Sequence, residues 1–347
     1  MPSSSEIRFG IVIPQGWSFS LPLSAIQGQA KDKAKEHDNH DNPVEEYIFS
    51  KRVAEAADKS AFDSIYTYDH FLPYYAPNNK KNFFECFVLL SSLAAITKRV
   101  KLGQAVTCNS YRNPGLLAKM ISTLDVISHG RAEIGIGAGW NQEEYTQYGY
   151  DFQSGLTRIR QLDESLNIIK AMWTQDRASF SGKYYSIKDA ICNPKPLQKP
   201  HPIIMIGGSG EQHLLKVVAR HANRYNHPAG SAQVLKRKIS VIQEHCNTIG
   251  RNYKELEYSV LISCLIRQTD DEVKEMMEQL KRTSPHAMQQ IREAEFISTI
   301  GNPEKIISAL SKYIEVGVTH FILDFIGFDE TTLNLFDSQV IKRMNTS

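Results

Sequence analysis

A chain of 347 residues with 41% hydrophobic and 22% charged side chains can bury a sizeable core, which excludes a disordered or fibrous protein. Its 40 Lys plus Arg against 38 Asp plus Glu leave a formal charge of +2, too balanced for a partner that is nucleic acid or an anionic membrane surface. The five cysteines form no C-x-x-C pair and no metal-ligand spacing, which argues against a disulfide framework or zinc module, and no apolar run reaches the ~18 residues of a membrane helix. The Met-Pro-Ser-Ser-Ser-Glu start lacks the basic and apolar regions of a secretory leader, so a cytoplasmic location is expected.

In chain order, residues 7–13 (IRFGIVI) read as a first strand and 44–60 as a helix with apolar residues at helical spacing. Between them, 15–42 is a polar, charged stretch whose position after a strand places it at the rim of a barrel, as a lid or as a plain loop. Within it His37 and His40 stand three apart, a spacing that can hold a metal on a helix, but the surrounding charges favour a solvated face and no metal. Residues 62–68 (FDSIYTY) read as strand two, 83–97 as a helix, 100–106 (VKLGQAV) as strand three, and 114–128 as a helix with proline at its favoured first position. Strand four, 131–138, runs into Gly137, Ala138, Gly139 and Trp140. A helix over 156–173 follows, then an ordered excursion over 175–202 with a hairpin or turn at 181–185 and a proline-rich stretch at 193–202. Strand five, 203–206, ends in Gly207, Gly208, Ser209 and Gly210, and a helix is expected over 211–221. Strands at 224–226, 258–267 and 318–325 precede a terminal helix.

Strand-length runs thus alternate with helical runs in about eight repeats, which implies a parallel sheet and favours an α/β fold closed into a (β/α)8 TIM barrel. The expectation is one domain across 1–347 with rim insertions at about 15–42 and 175–202.

In such a barrel the site lies at the C-terminal ends of the strands. Asp69 and His70 follow strand two and set a carboxylate beside an imidazole whose ordinary pKa of ~6.5 suits proton transfer; the alternative is a hydrogen-bonded histidine capping the next helix. Cys108 follows strand three with no adjacent base, so a buried wall residue outweighs a nucleophile. Glycines 135, 137 and 139 permit either close backbone packing or a flat ligand against the main chain. The Gly207 to Gly210 run, placed before a helix N-terminus, is the best phosphate site, although a tight ligand-free turn reads the same. Neither glycine cluster spells G-x-G-x-x-G, which argues against a Rossmann dinucleotide site.

Four ordered segments carry a resemblance: 62–71 (FDSIYTYDHF), 102–114 (LGQAVTCNSYRNP), 124–140 (LDVISHGRAEIGIGAGW), and 194–202 (PKPLQKPHP) leading into 206–209 (IGGS). In these the chain resembles the bacterial-luciferase-like superfamily of flavin- and deazaflavin-dependent oxidoreductases, and within it the branch that uses coenzyme F420. The same scaffold elsewhere holds FMN. The resemblance implies a tricyclic ring against the ends of strands two to four, with Asp69 and His70 near its reactive ring. Ala105 and Val106 stand where the family often has a non-proline cis peptide, and Thr107, Cys108, Gly137, Ala138, Gly139 and Trp140 complete the wall. Gly207, Gly208 and Ser209 match the segment that holds the cofactor's phosphate.

The implied activity is hydride transfer between F420 and a small organic substrate, with His70 or Asp69 handling the proton. A reduced-FMN monooxygenase that uses oxygen is the alternative; a non-catalytic flavin-binding barrel is the alternative of another class. Family habit implies a homodimer. Two positions depart from the pattern. Some deazaflavin sugar-phosphate dehydrogenases carry a catalytic glutamate where this chain has Trp140, and some members place a tryptophan where it has Tyr74. Both departures argue against a sugar-phosphate substrate. Trp140 either stacks on the ligand or packs under the rim, and Glu143 and Glu144 either assist the site or lie on a surface helix.

Overall fold

Three helix starts are written into this chain as Asn-Pro pairs. In the computed structural model, which describes residues 6–15, 42–73, 82–228, 230–283, 291 and 299–346, prolines 43, 114 and 303 each open a helix. Behind them the side chains of Asn42, Asn113 and Asn302 accept the N–H groups of Val44, Gly115 and Lys305 at 3.0, 2.8 and 3.1 Å. Each cap satisfies a donor that the first helical turn leaves over, worth about 1 kcal/mol.

The elements run β1 (Arg8–Val12), α1 (Pro43–Lys59), β2 (Ser64–Thr67), α2 (Cys86–Ile96), β3 (Lys101–Gln104), β4 (Thr107–Cys108), α3 (Pro114–Ile127) and β5 (Glu133–Gly137). Next come α4 (Gln142–Gln147), α5 (Gly155–Thr174), β6 (Ala178–Ser181), β7 (Ser186–Ala190), β8 (Ile203–Gly207), α6 (Leu214–His221), β9 (Arg224–His227) and α7 (Ala232–Thr248). The chain finishes through β10 (Glu257–Ile266), α8 (Asp270–Thr283), β11 (Thr299–Gly301), α9 (Pro303–Ile314), β12 (His320–Phe325), α10 (Glu330–Phe336), a π-helical turn at Asp337–Ile341 and α11 (Lys342–Thr346).

Parallel pairing follows the order β3-β2-β1-β12-β10-β9-β8-β5-β4. β3 and β4 are two halves of one stave, and a parallel bridge from Leu102 to Ala132 carries the β3 edge onto the β5 side, so the sheet closes as a barrel. Each strand anticipated from the sequence is a stave, including the short one at 224–226. The Ala105-Val106 bond between β3 and β4 is cis, as the resemblance implies.

A shell of apolar side chains, Phe9, Ile11, Leu90, Ile121, Leu166, Val218 and Phe321 among them, is buried between the barrel and its helices. At about 1.5–3 kcal/mol per buried large side chain, this shell is the main stabilising term. Inside the barrel, polar groups form two linked sets, Tyr66 with Glu133 and Arg224, and Ser64 and Asn226 with Ser259 and His320, beside an apolar cluster of Val12, Tyr68, Ala105, Met205 and Ile322.

The structure moves two helix starts, from 83 to Cys86 and from 211 to Leu214, and adds α7, α8 and α9 between the last strands together with two short elements. The helix after β8 begins at Leu214, not Glu211, because Glu211 to His213 form a turn. The six-residue α4 and the three-residue β11, which pairs with β10, are too short to leave a periodic signature. The excursion over 175–202 is an antiparallel β6–β7 hairpin followed by the proline-rich run, whose Leu197 and Gln198 amides are held by Asp125 of α3 at 2.7 and 3.1 Å. The body of the 15–42 insertion, with His37 and His40, and Tyr74 lie outside the described residues. Among the described residues no helix is long and apolar enough to cross a membrane.

Candidate active site

The ends of β2, β4, β5 and β8 converge on one mouth, and the first surprise there concerns Asp69 and His70. The two are neighbours in sequence but not partners. Asp69 is buried and takes a two-pronged ion pair from Arg112 at 2.7 and 3.0 Å, the Cys108 amide at 3.0 Å, and the Thr107 hydroxyl. Arg112 continues to Glu85 at 2.6 Å and lies over the Phe87 ring. Asp69 therefore ties β4 to β2, and its oxygens are committed to that task.

The carboxylate that meets His70 is Glu144, from α4. It has 0% exposure and holds four donors: His70 Nδ1 at 2.9 Å, the amides of Phe71 and Leu72 at 2.8 and 3.1 Å, and the Tyr111 hydroxyl at 2.9 Å. Burial alone would raise its pKa, but the bond and charge of His70, with the two amides, outweigh burial and hold the carboxyl below its usual range. An ionised Glu144 fixes the proton on Nδ1, so that in the neutral imidazole Nε2 is the basic nitrogen. The His70 side chain keeps 15% exposure and is flanked by Tyr68, Phe83 and Trp140, the last edge-on at 5.7 Å. Of the two glutamates for which a role at the site and a place on a surface helix were both open, Glu143 is exposed, whereas Glu144 is buried against His70.

The glycines fit against named neighbours. A Cβ on Gly135 would stand 1.7 Å from the Gln104 carbonyl oxygen, so this position is close strand packing. Val106 lies between Gly137 and Gly207, whose added Cβ atoms would come within 3.0 and 2.8 Å of it. Gly139, at φ +78°, backs onto Cys108 and Tyr145, which are joined to each other at 3.1 Å. Cys108 is buried, and burial pushes its thiol up to about 11, which makes it a wall residue. Ala138 is half-buried, Ala105 and Thr107 are buried, and Trp140 is 54% exposed at the lip. On the β8 side Gly208 adopts φ +140°, and a Cβ there would meet Leu214 at 2.4 Å. Ser209 is exposed, and no acceptor among the described residues takes its N–H or that of Gly210. Tyr185 from the β6–β7 hairpin reaches Asn109 at 3.5 Å, so the excursion touches the rim at this point. Among the described residues no cluster of three His, Cys, Asp or Glu side chains could hold a metal ion.

A glycine-lined wall, a partly exposed imidazole and a turn whose N–H groups no described residue accepts suit a flat ring that carries a phosphate. Residues 28–320 match the luciferase-like monooxygenase family, and the chain belongs to it. It is similar to an FMNH(2)-dependent dimethylsulfone monooxygenase of Pseudomonas putida, 27% identical over 69% of this chain and 64% of that one, so this match leaves about a third of the relative uncovered. It is also similar to an F420-dependent glucose-6-phosphate dehydrogenase of Kineococcus radiotolerans, 26% identical over 82% of this chain and 89% of that one. The structure of an F420-dependent secondary alcohol dehydrogenase in complex with an F420-acetone adduct superposes with a TM-score of 0.76, at 18% identity over 97% of this chain and 98% of that one. The activity of this family is oxidoreduction with a flavin-type cofactor.

Proposed function

We propose that the protein is an F420-dependent oxidoreductase that passes a hydride between the deazaflavin and a small organic substrate, with His70 handling the accompanying proton. The observation that carries this reading is the His70–Glu144 pair, 2.9 Å apart at the glycine-walled mouth. Bound F420 would supply a two-electron hydride carrier. The chain's own part is to seat the ring against Ala105, Val106, Gly137, Ala138 and Gly139, to hold the phosphate on Gly207, Gly208 and Ser209, and to keep His70 oriented. With Nδ1–H committed to Glu144, Nε2 is the atom that takes or returns a substrate proton. Asp69 acts one step back, keeping Thr107 and Cys108 in place. Trp140, where some relatives carry an acid, gives the lip an apolar face, which argues against a sugar-phosphate substrate.

The extent of the likeness supports the deazaflavin: the F420-dependent relative aligns over most of both chains, the FMNH(2)-dependent one over less. The second reading, an FMN-dependent monooxygenase, draws on that same monooxygenase and on the family's description. Titration of the purified protein with F420 and with FMN, followed by absorbance and fluorescence, decides between them. Tight binding of F420 is expected. Binding of FMN alone replaces the first reading with the second, and binding of neither sinks both.

A further inference from the structure

A glycine-rich turn wanders unless its peptide planes are held. Two buried donors hold this one from behind. Tyr225 of β9, with 0% exposure, donates its hydroxyl to the Gly208 carbonyl at 2.8 Å. Lys238 of α7, with 6% exposure, donates Nζ to the Ser209 carbonyl at 2.6 Å. The Gly208 amide is itself given to the Asn226 carbonyl at 3.4 Å. Burial pushes the Tyr225 phenol well above its ordinary pKa, so it remains a donor at any working pH.

The Gly208-Ser209 and Ser209-Gly210 peptides are trans, so each N–H points opposite its carbonyl. Drawing both carbonyls back toward β9 and α7 turns the N–H groups of Ser209 and Gly210 the other way, and these are the two that no described residue accepts. Glu211, whose carboxylate would repel an anion here, is held aside by Arg237 at 2.9 Å and Lys238 at 3.4 Å.

We propose that Tyr225 and Lys238 are positioning residues that preset the Ser209 and Gly210 N–H groups for the phosphate of the cofactor's side chain, and thereby make the protein select phosphorylated over phosphate-free forms of its cofactor. The proposal rests on the phosphate reading of the Gly207 to Ser209 turn. Both side chains are buried, so each acts through a carbonyl it holds.

The test is a ratio of affinities. Dissociation constants are measured by fluorescence for FMN against riboflavin, and for F420 against its phosphate-free ribityl precursor, in the wild type and in Tyr225→Phe, Lys238→Met and Lys238→Arg. The preference for the phosphorylated form should fall on the order of tenfold in Tyr225→Phe and Lys238→Met, with the phosphate-free ligand bound as before. Lys238→Arg, which keeps a charged donor, should retain most of the preference. Equal weakening of both ligands, or an unchanged ratio in both variants, overturns the positioning role while leaving the phosphate site standing. A wild type that binds both forms alike overturns the phosphate reading of the turn itself, and the positioning role with it.

Discussion

The two ends of the barrel both bury a glutamate and use it differently. At the N-terminal end Glu133 meets Arg224 at 2.7 Å and the Tyr66 hydroxyl at 2.9 Å, with Lys101 at 3.5 Å. Arg224 also reaches Glu257 at 2.9 Å, which Arg8 holds at 2.7 Å. Burial pushes the Glu133 carboxyl up, but the charges of Arg224 and Lys101 outweigh it and hold the group down to about 2. At the mouth, Glu144 faces an imidazole and two amides. A carboxylate against guanidinium is a fixed charge and serves as scaffold. A carboxylate against an imidazole holds a group that can give and take a proton, which is where proton chemistry can occur. By that criterion Asp69, paired with Arg112, is scaffold, although it stands at the mouth.

Breaking the fixed end should produce the largest loss of stability. Glu133→Leu leaves Arg224 buried with its closest partner gone and should cost about 3–5 kcal/mol in denaturant unfolding. Turnover per folded molecule should be unchanged; a parallel collapse of turnover would erase the distinction between the ends. His70→Ala is the converse: stability within about 1 kcal/mol of wild type, with the rate of the chemical step down about 10²- to 10⁴-fold under saturating cofactor. Full turnover in that variant would remove the proton-transfer role.

A smaller effect is expected from Glu144→Gln, which can still accept the Phe71 and Leu72 amides but loses the charge opposite His70. The rate should fall about tenfold with substrate affinity kept, because the ring loses the anion that orients Nδ1–H, and Glu144→Asp should recover part of the loss. An unchanged rate would mean that Glu144 serves only to hold the backbone.

The gentlest test is pH. Burial, with Lys238 nearby, lowers the His227 pKa to about 4, and burial, with Arg224, Arg8 and Lys101, holds His320 well below its usual value. Unfolded imidazoles take up protons below about 6.5 while these two stay neutral, so stability is full above that pH and declines as pH falls from about 6.5 toward 4. Glu133 adds a further loss between about 4.5 and about 2, where its unfolded form protonates before its folded form does. Thermal midpoints that stay flat from pH 7 to 4 would contradict the neutral, buried histidines.

Much of this was readable from residue order. Staves covered on both faces appear as largely apolar runs such as 7–13 and 258–266, and Pro114 marks where its helix starts. The glycine clusters and the Asp69-His70 step stand at strand ends that meet at one mouth. What order could not show was partnership. Glu144 finds His70, Phe71 and Leu72 across 74, 73 and 72 residues, and nothing local separates it from the exposed Glu143 beside it. The start of α6 was misplaced because a run of glycines has no periodicity to read. Tyr225 and Lys238 were missed because they work through main-chain carbonyls, and no motif records that.

The β6–β7 hairpin hangs outside the barrel sheet, and its turn is held largely by one residue: Glu164 of α5 accepts the amides of Lys183, Tyr184 and Tyr185 at 2.8, 2.8 and 3.0 Å. In engineering terms it is a graft point. A designed or naturally diverged loop that keeps a comparable tether could replace the hairpin and present new side chains beside Asn109, leaving the staves, the charged end and the His70–Glu144 pair as inherited hardware.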